Sequence, residues 1–264
     1  MPGVNCLGRF TASADFRDDT GLGLLNNNRG CIVSGNRFPS YKAVCVAAFV
    51  GFAISLGAMA VASEAEPEER ERIMAEIERR LVDDAAREAA IRAGRDRSVL
   101  CASCHGVDGN SLRSYIPNLA EQNTAYIIEQ IGKFVDGERQ HFVMPVLARD
   151  FSFQDKVNLA VYYASQTLEP AEADPILAAR GKPLYEQYCL GCHGATGRGH
   201  AGYAVVAGQK VEYAISSMKR YRENALRRGE PLETTRSDLL MEQATAHLSD
   251  EDIAALAHYS ALLE

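Results

Sequence analysis

The longest uninterrupted apolar stretch runs from Ala43 to Ala62, AVCVAAFVGFAISLGAMAVA, without a charge. Beyond it, residues 64–96 carry acids and bases around a narrow apolar stripe, Ile73, Ile77, Leu81, Ala85 and Ala89, at helical spacing. Glu66/Arg70, Glu68/Arg72, Glu76/Arg80, Asp83/Arg87 and Glu88/Arg92 are acid-before-base pairs four residues apart, each worth ~0.2–0.5 kcal/mol. The pattern predicts a charged, solvated helix resting on the domain that follows. A docking helix for a partner subunit, or a spacer from a membrane anchor, is the functional alternative. Further on, a helical pattern occurs twice. Tyr126, Ile131 and Phe134 are answered by Tyr213, Met218 and Tyr221, each 87 residues later, on one buried stripe. Ser152-Phe153-Gln154-Asp155 and Ser249-Asp250-Glu251-Asp252 each place Ser-x-x-acid before an apolar-periodic run, a helix start close to a capping box. Leu159-Ala160 and Tyr162 are answered by Leu256-Ala257 and Tyr259.

The pattern implies a duplicated all-α domain. Two prolines and three acids within residues 166–175 do not continue a helix and mark the join. The expected organisation is a leader over residues 1–62, a charged amino-terminal helix over 63–90, a first domain over 91–168, a linker over 169–176 and a second domain over 177–264. Domains this small have little apolar core of their own, so each needs a bound group to complete it.

The amino terminus reads in pieces. Residues 1–40 are Gly- and Asn-rich and show no period. Arg37 and Lys42 form a basic flank, and Ala60-Val61-Ala62 before Ser63 fits the small-x-small pattern of a secretory signal. The alternative is an uncleaved anchor, since the run approaches the ~20 residues that span a bilayer. Translation is expected to start downstream of Met1, which would leave Cys6 and Cys31 out of the mature protein. The formal charge is −7, and residues 1–62 hold five bases and three acids, so cleavage would take it to about −9. That acidic balance excludes a nucleic-acid binder and suits partners with basic patches.

The cysteines name the bound group. The count of seven is odd, but four of them stand in Cys101-Ala102-Ser103-Cys104-His105 and Cys189-Leu190-Gly191-Cys192-His193. C-x-x-C-H is the attachment signal of c-type haem. Two thiols one helical turn apart bond one edge of the macrocycle, and the His that follows faces the iron. A zinc site made of all four thiolates is the alternative. Each motif is followed by glycine, Gly106 and Gly194. Two covalent haems are therefore expected.

Each His needs a partner on the opposite haem face. Met144 and Met241 stand at the same distance before their capping boxes and are the expected ligands. Met218 aligns with Ile131 and reads as packing. His141, His200, His247 and His258 lack a counterpart in the repeat and read as surface or core residues, with His141 able to replace Met144. Met144-Pro145 and Met241-Glu242 differ in the residue after the ligand. Pro117 stands where a backbone carbonyl should accept the remaining imidazole N–H, and its second-half counterpart is about Ala204. With both axial positions filled there is no open site for a substrate, so the expectation is an electron carrier with no catalytic residue.

On both haem motifs, the Gln122 and Gln209 segments, both methionines and the closing segment from Leu248 to Ala257, residues 90–264 resemble the class I cytochromes c in their duplicated form, the cytochrome c4 family. The resemblance implies a periplasmic dihaem carrier between a quinol-oxidising complex or dehydrogenase and a terminal oxidase or reductase. Its partners would be redox proteins, with a possible membrane tether through residues 43–62. It also implies haem edges near the domain interface. The chain departs from the pattern in its extra segment 64–96 and in an insertion within 222–236. That insertion lengthens the His-to-Met interval from 39 residues in the first half to 48 in the second. The alternative function is a cytochrome subunit of an enzyme such as a flavin-containing sulfide dehydrogenase or alcohol dehydrogenase; a dihaem peroxidase would need an open distal face.

Overall fold

The computed structural model describes residues 68–200, 202–227 and 236–263, all within the unit Ser55–Glu264. The apolar run 43–62, the leader cysteines and Glu66 lie outside them. Among the described residues the secondary structure is helical, with one isolated bridge between Arg139 and Arg236, and no helix is long and apolar enough to cross a membrane.

A first helix, α1 (68–82), is followed by α2 (Asp84–Arg97), α3 (Val99–His105), α4 (Thr124–Asp136), α5 (Met144–Asp150) and α6 (Phe153–Ala164). The second half repeats the last five as α7 (Pro175–Tyr188), α8 (Leu190–His193), α9 (Val211–Leu226), α10 (Leu239–Thr245) and α11 (Asp250–Ala261). The expected single charged helix is broken at Asp83. Its carboxylate caps α2 by accepting the Ala86 amide at 3.0 Å, so Asp83 is not Arg87's ion-pair partner; Arg87 pairs with Asp84. Glu76–Arg80 and Glu88–Arg92 form as expected. The domain boundary drawn at 90/91 falls inside α2, and Pro175 opens α7 as its first residue instead of closing the linker.

The stripe on α1 is deeply buried. Ile73 and Ile77 are about as enclosed as any residue here and pack on Val157, Ala160 and Val161 of α6. Full burial of such a side chain is worth ~1.5–3 kcal/mol, more than the surface pairs around it. The stripe ends there, because Leu81 is exposed in the last turn of α1.

Each half is closed by the crossing of its first and last helices, α2 on α6 and α7 on α11. Both crossings need a glycine. A Cβ on Gly94 would stand 2.3 Å from the Asn158 carbonyl oxygen and 2.5 Å from Tyr162 Cβ, and one on Gly181 would stand 2.1 Å from the Ala255 carbonyl oxygen. The last helices start from complete capping boxes, Ser152/Asp155 and Ser249/Asp252, as the sequence predicts.

Candidate haem sites

α3 and α8 present the two C-x-x-C-H motifs in the same way. Each helix ends on its histidine, and the next residue, Gly106 or Gly194, takes a positive φ of 83° or 74°. At Gly106 a side chain would also strike the Asn110 carbonyl oxygen. The chain then folds back on itself. Gly109 C=O accepts from the Leu119 and Ala120 amides, and Gly197 C=O accepts from those of Val206 and Ala207.

This return brings a carbonyl to each imidazole. His105 Nδ1 lies 2.9 Å from the Pro117 oxygen, and His193 Nδ1 lies 2.9 Å from the Ala204 oxygen. A carbonyl can only accept, so Nδ1 carries the proton and Nε2 presents its lone pair. Burial lowers both histidines from the ordinary value, against the raising effect of those carbonyls. The neutral imidazole so favoured is the form that binds iron. All four motif cysteines are half-buried and none is in a disulfide. Burial raises Cys101 and pushes Cys189 up to about 12. Among the described residues no three His, Cys, Asp or Glu side chains gather as a metal cage, so the two cysteine pairs do not meet in a tetrathiolate site.

The methionines differ in their settings. Met144 is the first residue of α5 and packs on Ile131, Phe134 and Ala148. His141 Nδ1 accepts from the Val143 and Met144 amides at 3.2 and 3.4 Å, so it steadies the start of that helix. Met241 is the third residue of α10. Asp238 accepts its amide at 3.1 Å, and Glu242 folds back to accept from Ser237 Oγ and the Asp238 amide. Where the first half has Pro145, the second uses this polar clasp. Met218 packs with Tyr185, Leu248, Ile253 and Leu256. His247 lies against Tyr188, His200 against Tyr203, and His258 accepts from the Asp174 amide.

A buried polar cluster joins the halves, and the sequence reading missed it. Arg236, 5% exposed, donates to the hydroxyls of Tyr221, Tyr213, Ser217 and Tyr126 at 2.6–2.7 Å. Arg139 donates to Gln130 Oε1 and the Tyr213 hydroxyl. Burial raises the Tyr213 phenol, but the two guanidiniums outweigh it and bring it down to about 7. Neither arginine has an ion-pair partner among the described residues. A seam with this surplus of positive charge suits the carboxylates of haem, while the thiols and neutral imidazoles suit its vinyl edge and iron. The repeat carries a signal for both: Tyr126 and Tyr213 stand 87 residues apart, and Arg139 and Arg236 stand 97 apart, the same interval as Met144 and Met241.

The comparisons agree with this chemistry. The cytochrome c family model matches residues 178–260. Cytochrome c4 of Pseudomonas aeruginosa is 34% identical over 178 residues, 63% of this chain and 85% of that one. The crystal structure of reduced recombinant cytochrome c4 from Pseudomonas stutzeri superposes with a TM-score of 0.58 at 30% identity, over 66% of this chain and 98% of that one. A thiosulfate dehydrogenase electron acceptor of Thiomonas intermedia is 28% identical over 190 residues, 66% of this chain and 82% of that one. With two tandem haem-binding helical domains and this identity to full-length relatives, the chain belongs to the cytochrome c4 family of electron carriers with two covalently bound c-type haems.

Proposed function

We propose that this carrier works in the periplasm, with thioether bonds at Cys101 and Cys104 and at Cys189 and Cys192, and with His105/Met144 and His193/Met241 as axial ligand pairs. The haem-bearing domains are residues 91–168 and 177–264, with α2 extending the first back to Asp84. Haem held by these residues would supply one-electron ferrous/ferric chemistry, and the methionine thioethers would favour its reduced form. The chain's own residues fix the imidazoles through Pro117 and Ala204, fill the distal face with sulfur and exclude water. Filled axial positions leave electron transfer as the chemistry. The donor is a quinol-oxidising complex or dehydrogenase, and the acceptor is a terminal oxidase or reductase. Residues 43–62 serve as an export signal or a tether.

The observation that carries this reading is the repeated His–carbonyl pair at 2.9 Å, one residue after each C-x-x-C. Intact mass and a denatured haem assay on the mature protein test it together. Two covalent haems and a terminus near Ser63 are expected; one haem per chain would overturn the ligand scheme. The likeness to a thiosulfate dehydrogenase electron acceptor favours a second reading, a carrier dedicated to one dehydrogenase. Stoichiometric co-purification with such an enzyme separates it from the free carrier.

A further inference from the structure

The two glutamines of the repeated segments reach into opposite halves. Gln122, on the first half, accepts the Val205 amide N–H on Oε1 at 2.8 Å and donates from Nε2 to the Val205 carbonyl at 3.0 Å. Gln209, on the second half, accepts the Asn118 N–H at 2.8 Å and donates to the Asn118 carbonyl at 3.2 Å. Both glutamines are buried.

The N–H of Val205 belongs to the same peptide group as the Ala204 carbonyl, and that carbonyl holds His193. The N–H of Asn118 likewise shares a peptide group with the Pro117 carbonyl, which holds His105. Two hydrogen-bonded chains therefore cross the seam: Gln122 Oε1 to the Ala204–Val205 peptide to His193, and Gln209 Oε1 to the Pro117–Asn118 peptide to His105. Accepting from one end of a peptide group polarises it and makes the oxygen at the other end a better acceptor. A better acceptor draws the Nδ1 proton and makes the imidazole more electron-rich, which favours ferric iron.

We propose that Gln122 and Gln209 are crossed positioning residues: each sets the basicity of the proximal histidine in the other half. The crossing makes the state of one domain's interface part of the other domain's redox poise. It rests on the reading of His105 and His193 as iron ligands.

The test uses the full-length protein with both haems and measures both midpoint potentials by spectroelectrochemistry. Met144→His and Met241→His lower the potential of their own haem and so label which is which. Gln122→Leu then raises the potential of the second-half haem, with a roughly two- to fourfold shift in its oxidised-to-reduced ratio at fixed potential. The first-half haem stays within error, and Gln209→Leu does the reverse. In the reduced, diamagnetic protein the His193 Nδ1 proton resonance moves upfield in Gln122→Leu while that of His105 stays put. Should a leucine variant fail to load haem, Gln122→Met and Gln209→Met keep the side-chain length and give the same signs. Potentials that move in the variant's own half, in both halves alike, or not at all overturn the crossing. If neither Met→His variant moves a potential, the axial-ligand reading is what has failed.

Discussion

Arg236 donates from Nη2 to the Tyr126 hydroxyl at 2.7 Å, bridging a residue just past the second half's insertion to α4 of the first. The same guanidinium serves Tyr221, Tyr213 and Ser217. Its planar fork matches four hydroxyls at once, whereas an ammonium could not span them. Arg236→Lys should therefore cost nearly as much as Arg236→Gln, roughly 2–4 kcal/mol, because buried hydroxyls lose charge-assisted bonds. Guanidinium denaturation of the haem-loaded protein checks this. A loss below about 1 kcal/mol in both variants would show that the cluster reorganises freely.

The glycines separate close approach from helix propensity. Gly94 lies where α2 meets α6, with the Asn158 carbonyl oxygen 2.3 Å from any added Cβ, while Gly132 in α4 has nothing within 4 Å. Gly94→Ala should destabilise by at least ~1–3 kcal/mol, since backbone must move. Gly132→Ala should stabilise by ~0.5–1 kcal/mol, from the lower entropy of the unfolded chain. Thermal melts of the two variants should shift in opposite directions; two downward shifts would contradict the account of Gly132.

Much of this architecture was legible because the chain is written twice. The second copy turned Tyr126, Ile131 and Phe134 from a plausible stripe into a helix, and it singled out Met144 and Met241 over Met218 and four histidines. Gly94 and Gly181 also stand 87 residues apart and could have been read in the same way. What the repeat could not show is what the copies do to each other. The Gln122 and Gln209 segments were visible as a match, but a match does not say that each side chain ends in the opposite half. Arg139 and Arg236 answer each other at the 97-residue interval of Met144 and Met241, but the match does not tell that they enter a buried cluster, since an arginine reads in sequence as one more surface charge. The break at Asp83 was missed because an acid four residues before Arg87 fits both a helical ion pair and a cap. The local hydrogen bond to the Ala86 amide decided for the cap.

The attachment of α1 should depend on pH in a defined direction. Hydrogen bonds from Arg79 and Arg80 bring Glu76 down to about 2 from the ordinary 4.5, and Arg80 also donates to Asn158 and Gln154 around α6. A carboxylate with a depressed folded value adds stability that is complete above its unfolded value and is lost as pH falls through the folded one. Glu76→Gln should lower the melting temperature at pH 7. The gap from the parent should narrow from about pH 4.5 downward and close near pH 2. A gap that stays constant across that window would mean the carboxylate acts by packing alone.

With Met144 and Met241 as the proposed ligands, their two settings predict unequal grips on the two irons. Met144 is followed by a proline that fixes its backbone, whereas Met241 relies on Asp238 accepting its amide and on Glu242 closing the turn. Removing an N-cap carboxylate costs ~0.5–2 kcal/mol of helix stability. Here that loss falls on the turn that carries the proposed ligand. Asp238→Ala should leave both haems attached but let Met241 leave its iron more often. Reduced protein should then bind carbon monoxide at one haem faster than the parent does, by about 2- to 30-fold if the full capping energy goes into release. Met241→Ala should open that haem completely and remove its share of the weak long-wavelength band of methionine-bound ferric haem. Met218→Ala is the control. Its side chain packs in the cluster of Tyr185, Leu248, Ile253 and Leu256, so it should cost ~2–5 kcal/mol of stability and leave the band whole. If Met218→Ala removes half the band and Met241→Ala spares it, then α9 and not α10 supplies the ligand, and the pairing of the two halves at that point is wrong.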